Sequence, residues 1–188
     1  MSQLVFFLEE PSAKALLQSL LPRILPATIH FRCIAFEGKQ DLEKQLLRKL
    51  RAWQQPDCHF IVVRDKDSAD CVDVKNRLRI ICENAGKPET LIRIACHELE
   101  SWYLGDLLAV EQGLNINGLA EKQGQTKYRN PDRLVNPKQE LRKLTGNVYQ
   151  QIAGSRDIAP YLNLKNNCST SFNFFLTGIQ QLIMDIQQ

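Results

Sequence analysis

Short apolar runs alternate along this chain with segments in which apolar residues recur every third or fourth position. Residues 4–8, Leu-Val-Phe-Phe-Leu, read as a strand stopped by Glu9, Glu10, Pro11 and Ser12. Over residues 13–25, Leu16, Leu17, Leu20, Leu21 and Ile24 then share one helical face. The same unit recurs. Residues 29–36 alternate as a second strand, and after Gly38 the segment 41–53 puts Leu42, Leu46, Leu47 and Leu50 on one face, with Asp41 as the expected N-cap. Residues 60–63 form a third strand running into Arg64-Asp65-Lys66-Asp67-Ser68, and a helix over 71–84 follows, closed by Gly86 and Pro88. Residues 91–95 are the fourth strand, leading into Cys96-His97-Glu98-Leu99-Glu100-Ser101-Trp102. A short helix is expected between Asp106 and Glu111.

Strand and helix in alternation predict an α/β architecture with a mostly parallel four-stranded sheet. The pattern changes after residue 112. From 113 to 130 the chain is polar and poor in strand formers, as in a loop carrying short helical pieces, and two further helices are expected near 137–144 and 171–186. The expected organisation is an α/β core over residues 1–112 and a helical extension over 113–188 packed on it. No repeat or low-complexity tract is present, which excludes a solenoid.

Charge sharpens that division. The whole chain of 188 residues carries a net charge of +3, too small by itself to announce a nucleic-acid binder. Residues 1–112 hold 15 basic and 16 acidic side chains, whereas residues 113–188 hold 9 and 5. The excess sits in Lys122, Lys127, Arg129, Arg133, Lys138, Arg142 and Lys143. A solvated helix face is the plainer reading of that stretch, and a phosphate-facing wall the functional one. No apolar run approaches the ~18–20 residues that span a bilayer, and the first twenty lack a basic leader, so a cytoplasmic protein with no membrane partner is expected. The six cysteines are scattered without a CxxC pair and read as free thiols.

Ligands of open parallel sheets bind where the strands end at their carboxyl side. Three of the four strands bring acids there: Glu9 and Glu10, Asp65 and Asp67, Glu98 and Glu100. Hard oxygen donors gathered in this way suit Mg²⁺ or Mn²⁺. In an extended segment Asp65 and Asp67 point the same way and reach one site; capping of the next helix by Asp67 or Ser68 is the competing reading. One of Glu98 and Glu100 is expected to face the site, and Glu100 is chosen, with Asp106 and Lys14 as additional candidates. His97 is a candidate for proton transfer beside a structural role, while His30 and His59 precede strands far from this edge.

These segments, LVFFLEEPSA and FIVVRDKDS, resemble the Toprim domain, the α/β catalytic module of topoisomerases, primases and the nuclease halves of OLD-family proteins. With EEPSAKALLQSLLPRILP, HELESWYLGD, AGSRDIAPYL and SFNFF, nearly the whole chain is similar to small stand-alone bacterial Toprim-like proteins. The resemblance implies a Rossmannoid three-layer fold with a C-terminal helical extension. It also implies Glu9 as general acid/base or metal ligand, and Asp65 and Asp67 as holders of Mg²⁺. Metal-assisted cleavage of DNA or RNA follows, with Glu9, Asp65, Asp67 and Glu100 as the clamp. An ATPase partner and a role in defence or repair belong to the same resemblance, and a homo-oligomer is compatible with it. One position departs: Toprim domains carry Gly after the glutamate, and here that residue is Glu10, so either Glu9 or Glu10 is the working acid.

A nuclease also has to hold phosphates, and the stretch from Lys122 to Lys143 together with Arg156 supplies candidates. Two other classes compete. A non-catalytic Toprim-like module would use the edge acids for metal-dependent docking. A haloacid-dehalogenase-like phosphatase would use Asp65 as nucleophile, although Ser68-Ala69 stands where that class has Thr and an apolar residue.

Overall fold

The structure is a computed structural model and describes residues 2–188. Strands β1 (Gln3–Leu8), β2 (His30–Ala35), β3 (Cys58–Asp65) and β4 (Leu91–Ala95) form one sheet in the order β2-β1-β3-β4. Every neighbouring pair is parallel; Phe6, for instance, lies opposite Cys33 on one side and Ile61 on the other. Side chains alternate between two cores. Leu4, Phe6, Leu8, Ile61 and Val63 enter one, and Val5, Phe7, Phe60, Val62, Ile92 and Ile94 the other. Burial on both faces is why β1 and β3 read as unbroken apolar runs rather than as an apolar-polar alternation.

Helices α2 (Lys39–Arg51) and α3 (Cys71–Asn84) cover the second core through Leu42, Leu46, Leu50, Val74, Leu78 and Cys82. The opposite face is covered by α1 (Pro11–Leu20) and by the C-terminal helices. These are α4 (Glu100–Leu104), α5 (Leu107–Leu114), α6 (Thr126–Arg129), α7 (Pro137–Leu144), α8 (Gln151–Ile158) and α9 (Thr170–Gln187). Helix α8 lies along α1, and α9 packs on β4. Tyr128, Leu141, Tyr149, Ile158, Phe172 and Phe175 are buried in the same core as Leu4 and Phe6. The C-terminal stretch is therefore one wall of the three-layer α/β fold and closes its first core.

Several local expectations need correction. The first helix ends at Leu20 and tightens into a 3₁₀ turn over Leu21–Arg23, because Pro22 has no N–H to continue the ladder. Asp41 does not cap α2. Gly38 does, at φ 103°, and Asp41 accepts the Glu37 N–H from within the first turn. Neither Asp67 nor Ser68 caps α3; the Asp70 carboxylate takes that place and accepts the N–H groups of Val72 and Asp73. Helix α8 has no counterpart in the hydrophobic pattern. All six cysteines are free, and no helix among the described residues is long and apolar enough to cross a membrane.

Candidate active site

The carboxyl ends of β1, β3 and β4 bring the acids of three loops together. The Glu9 carboxylate accepts the Asp65 N–H at 3.1 Å and stands 3.7 Å from the Arg64 guanidinium, which also pairs with Glu43. Glu10 is held by the Ser12 hydroxyl and by the Gln151 amide of α8, each at 2.6 Å. Asp65 is only 8% exposed, and Glu100, at the start of α4, only 1%. One Glu100 oxygen accepts the Tyr149 hydroxyl at 3.0 Å; the other is buried without a partner.

Backbone ties fix these loops against one another. The Lys66 N–H bonds the Ala95 carbonyl at 3.0 Å, and the Asp67 N–H bonds the His97 carbonyl at 2.8 Å. Asp67 and His97 both have left-handed backbones, at φ 52° and 57°, a conformation that is costly for residues other than glycine and concentrates at functional sites. His97 contributes its carbonyl here.

Crowding of carboxylates raises their proton affinity. Burial lifts Glu9 to about 7, with Asp67 and Glu10 adding to it against the Asp65 N–H and Arg64. Burial also lifts Glu100 to about 7, against the pull of Lys138. Asp65 is pushed well above the ordinary carboxylate range by burial and then by Glu9, Glu100 and Glu10. Two lysines answer this charge. Lys39, at the start of α2, pairs with Asp67 at 2.6 Å. Lys138, on α7, stands 3.8 Å from Glu98, whose other oxygen accepts the Lys138 N–H; burial lowers its ammonium, and Glu100, Glu10, Glu98 and Asp65 more than offset that, leaving it raised.

The expected residues therefore divide. Glu9, Glu10, Asp65, Asp67, Glu98 and Glu100 are brought to one edge. The expectation that only one of Glu98 and Glu100 faces it fails, because the stretch after Ala95 is a turn and a helix start rather than strand, and both acids border Lys138. Asp106 is engaged elsewhere, its oxygens accepting the Ala109 N–H, which caps α5, and the Asn163 N–H. Lys14 lies on α1, which packs on β2, near enough to Cys33 to act on its thiol. Lys138, expected in a phosphate-facing wall, points instead into the acids. Lys127 is neutralised by Glu140 at 2.6 Å, and Arg129 donates to the Gly124 carbonyl. Lys122, Arg133, Arg142 and Lys143 make no ion pair among the described residues. Arg142 and Lys143 line a cleft of about 740 Å³ along α7 with Asn136 and Asn147. Arg156 is exposed and pairs with Asp157; Ser155 is buried within α8 and bonds the Gln151 carbonyl.

Sequence reasoning missed Lys39, Tyr149 and Gln151. Lys39 follows β2 at the same carboxyl edge, so the edge rule extended to a fourth strand finds it. Tyr149 and Gln151 lie in a stretch without periodicity and carry no such signal.

As a donor set, carboxylates with an unpartnered buried oxygen on Glu100 suit a hard divalent cation. Among the described residues, however, no three potential ligands stand close enough to hold one as they are. The acids fit such an ion in kind, with Lys39 and Lys138 supplying the positive charge. A phosphatase nucleophile at Asp65 fits poorly, since that carboxyl is buried and its ionised form is disfavoured.

The fold and this edge define an α/β protein whose parallel sheet ends in a buried set of acids. Its structure is similar to the C-terminal region of the Burkholderia pseudomallei OLD protein, with a TM-score of 0.58 at 14% identity over 96% of this chain and 98% of that one. The chain belongs to the family described as Domain of unknown function (DUF4276), which matches residues 8–180. No protein with a curated description matches it.

Proposed function

We propose that the protein is a divalent-metal-dependent nuclease, cleaving phosphodiester bonds in DNA or RNA. The observation that carries this reading is the convergence of Glu9, Asp65 and Glu100 from three loops into one buried, mutually repelling set. Six of the chain's 21 acids sit at this edge with Lys39, Arg64 and Lys138 paired to them, which leaves 15 acids against 21 basic residues elsewhere. A polyanion is attracted to such a surface, while the acid edge calls for cations. Glu9, Asp65, Asp67 and Glu100 would hold Mg²⁺ or Mn²⁺, which when bound polarises the phosphate and activates water. Arg142 and Lys143, one turn along from Lys138, provide a phosphate contact. The likeness in fold to an OLD protein region, together with the Toprim resemblance of LVFFLEEPSA and FIVVRDKDS, supports the same class and an ATPase as partner.

The test is cleavage of plasmid DNA and single-stranded RNA with Mg²⁺ or Mn²⁺, alongside calorimetric metal binding. Asp65→Ala and Glu9→Ala each remove cleavage while the circular dichroism spectrum stays native. Full activity in both variants overturns the assignment.

A second reading has its own observation. Lys39 and Lys138 already face the acids, as befits a non-catalytic module with internal counter-charges. In that case no nucleic acid is cut, with or without Mg²⁺ or Mn²⁺.

A further inference from the structure

β4 is an edge strand, paired with β3 on one side only. Along its free side runs a cleft of about 530 Å³ between α3 and α9, floored by Ile92, Arg93 and Ile94 and walled by Cys71, Lys75 and Phe174. In a parallel strand, successive residues turn their N–H and C=O groups to opposite sides. The Ala95 carbonyl accepts the Lys66 N–H that follows β3, so Ala95 and Arg93 face inward and Ile92, Ile94 and Cys96 face out. Two of the outward groups are capped from within the chain. The Cys96 N–H meets the Ser171 hydroxyl at 3.3 Å, and the Ile92 carbonyl accepts the Arg93 guanidinium at 3.0 Å. Ile94, between them, presents its N–H and carbonyl to the cleft.

The side chains around this slot have a definite character. Phe174, on the α9 wall, is 65% exposed. Lys75 makes no ion pair among the described residues, whereas the Arg93 guanidinium is tied down on α9, donating to the Phe174 carbonyl at 3.0 Å. Asp132, on the same lining, is engaged by Ser169 and by the Ser171 N–H. An open edge with free main-chain groups, an apolar wall and an unpaired lysine is a template for strand addition.

We propose that this cleft receives an extended segment of a partner protein, acidic and apolar residues alternating, which adds to β4 as a fifth strand. Its backbone pairs with Ile94, its acidic side chains turn to the α3 side and meet Lys75, and its apolar ones turn to the α9 side and cover Phe174. A second copy of this chain is the rival occupant. Two-fold pairing through β4 sets Lys75 of both copies on the same face of the joined sheet, a like-charge cost that an acidic segment escapes. The inference is independent of the nuclease reading.

The probes are three dye-labelled octapeptides in which Val alternates with Glu, Ser or Lys, titrated by fluorescence anisotropy. The order expected is Glu tightest and Lys weakest, with roughly tenfold between them at low salt, and Lys75→Glu reverses it. With the Glu peptide bound, hydrogen exchange of the Ile94 amide slows about tenfold while amides of β2 do not change. Lys75 is partly exposed on α3, so its variant keeps the test intact even where Arg93→Glu, packed against α9, does not fold. Equal affinity for the Glu and Lys peptides, no binding at about 1 mM, or protection elsewhere overturns the proposal. So does a dimer in solution whose interface protects Ile94.

Discussion

Replacing Glu100 by Gln removes a negative charge from the most enclosed position of the acid edge while keeping the oxygen that accepts the Tyr149 hydroxyl. In the metal-free protein Glu100 has a proton affinity raised from 4.5 to about 7, by burial first. A carboxyl raised on folding contributes stability that is complete below its unfolded value and is lost as pH climbs through the folded one. At pH 8 the ionised side chain therefore costs about 3 kcal/mol, and at pH 5 under about 1 kcal/mol, taking 1.36 kcal/mol for each unit. Burying the unpartnered amide of Gln returns roughly 1 kcal/mol of that gain. The variant should therefore be about 2 kcal/mol more stable than wild type at pH 8, which in a chain of this size is a melting point higher by roughly 4–8 °C. The assay is urea and thermal unfolding in EDTA at pH 5 and pH 8. A variant no more stable than wild type at pH 8, or an equal gain at both pH values, would refute the electrostatic account of this edge.

Other outcomes follow from single contacts. Gly154→Ala drives a methyl into the Tyr149 ring, so it should destabilise the fold by about 1–3 kcal/mol in urea unfolding and detach Tyr149 from Glu100. Asp70→Ala removes the α3 cap and should cost about 1 kcal/mol, whereas Ser68→Ala should be neutral in the same assay. Lys138→Ala leaves Glu98 and Glu100 without their nearest cation and should lower metal-free stability at pH 8 by about 1 kcal/mol, a loss that fades in high salt.

Much of this architecture could be read from the amino acids because burial on both faces of a parallel sheet writes itself as apolar runs. Leu4 to Leu8 and Phe60 to Val63 are unmistakable, and the acids that follow them fall where parallel strands end. What could not be read depended on distant chain. Helix α8, QIAGSRDI, has few apolar positions and a glycine; it is stabilised by packing on α1 rather than by its own propensity. Gly38 caps α2 through its backbone, with no side-chain signature to find. Lys138 has the composition of a phosphate ligand, and only the placement of α7 turns it toward Glu98. Tyr149 reaches Glu100 across 49 residues of sequence, a pairing that no local pattern encodes.

The paired left-handed residues Asp67 and His97 carry a mechanical consequence. Their loops are joined main chain to main chain, so neither can swing outward alone to let the carboxylates separate. Repulsion at this edge is held like a compressed spring between two fixed plates, and it relaxes when positive charge arrives rather than when the loops yield. An ion entering here would have to be met by rotation of the carboxylate side chains, because the joined main chains keep their places, and its leaving would restore the compression.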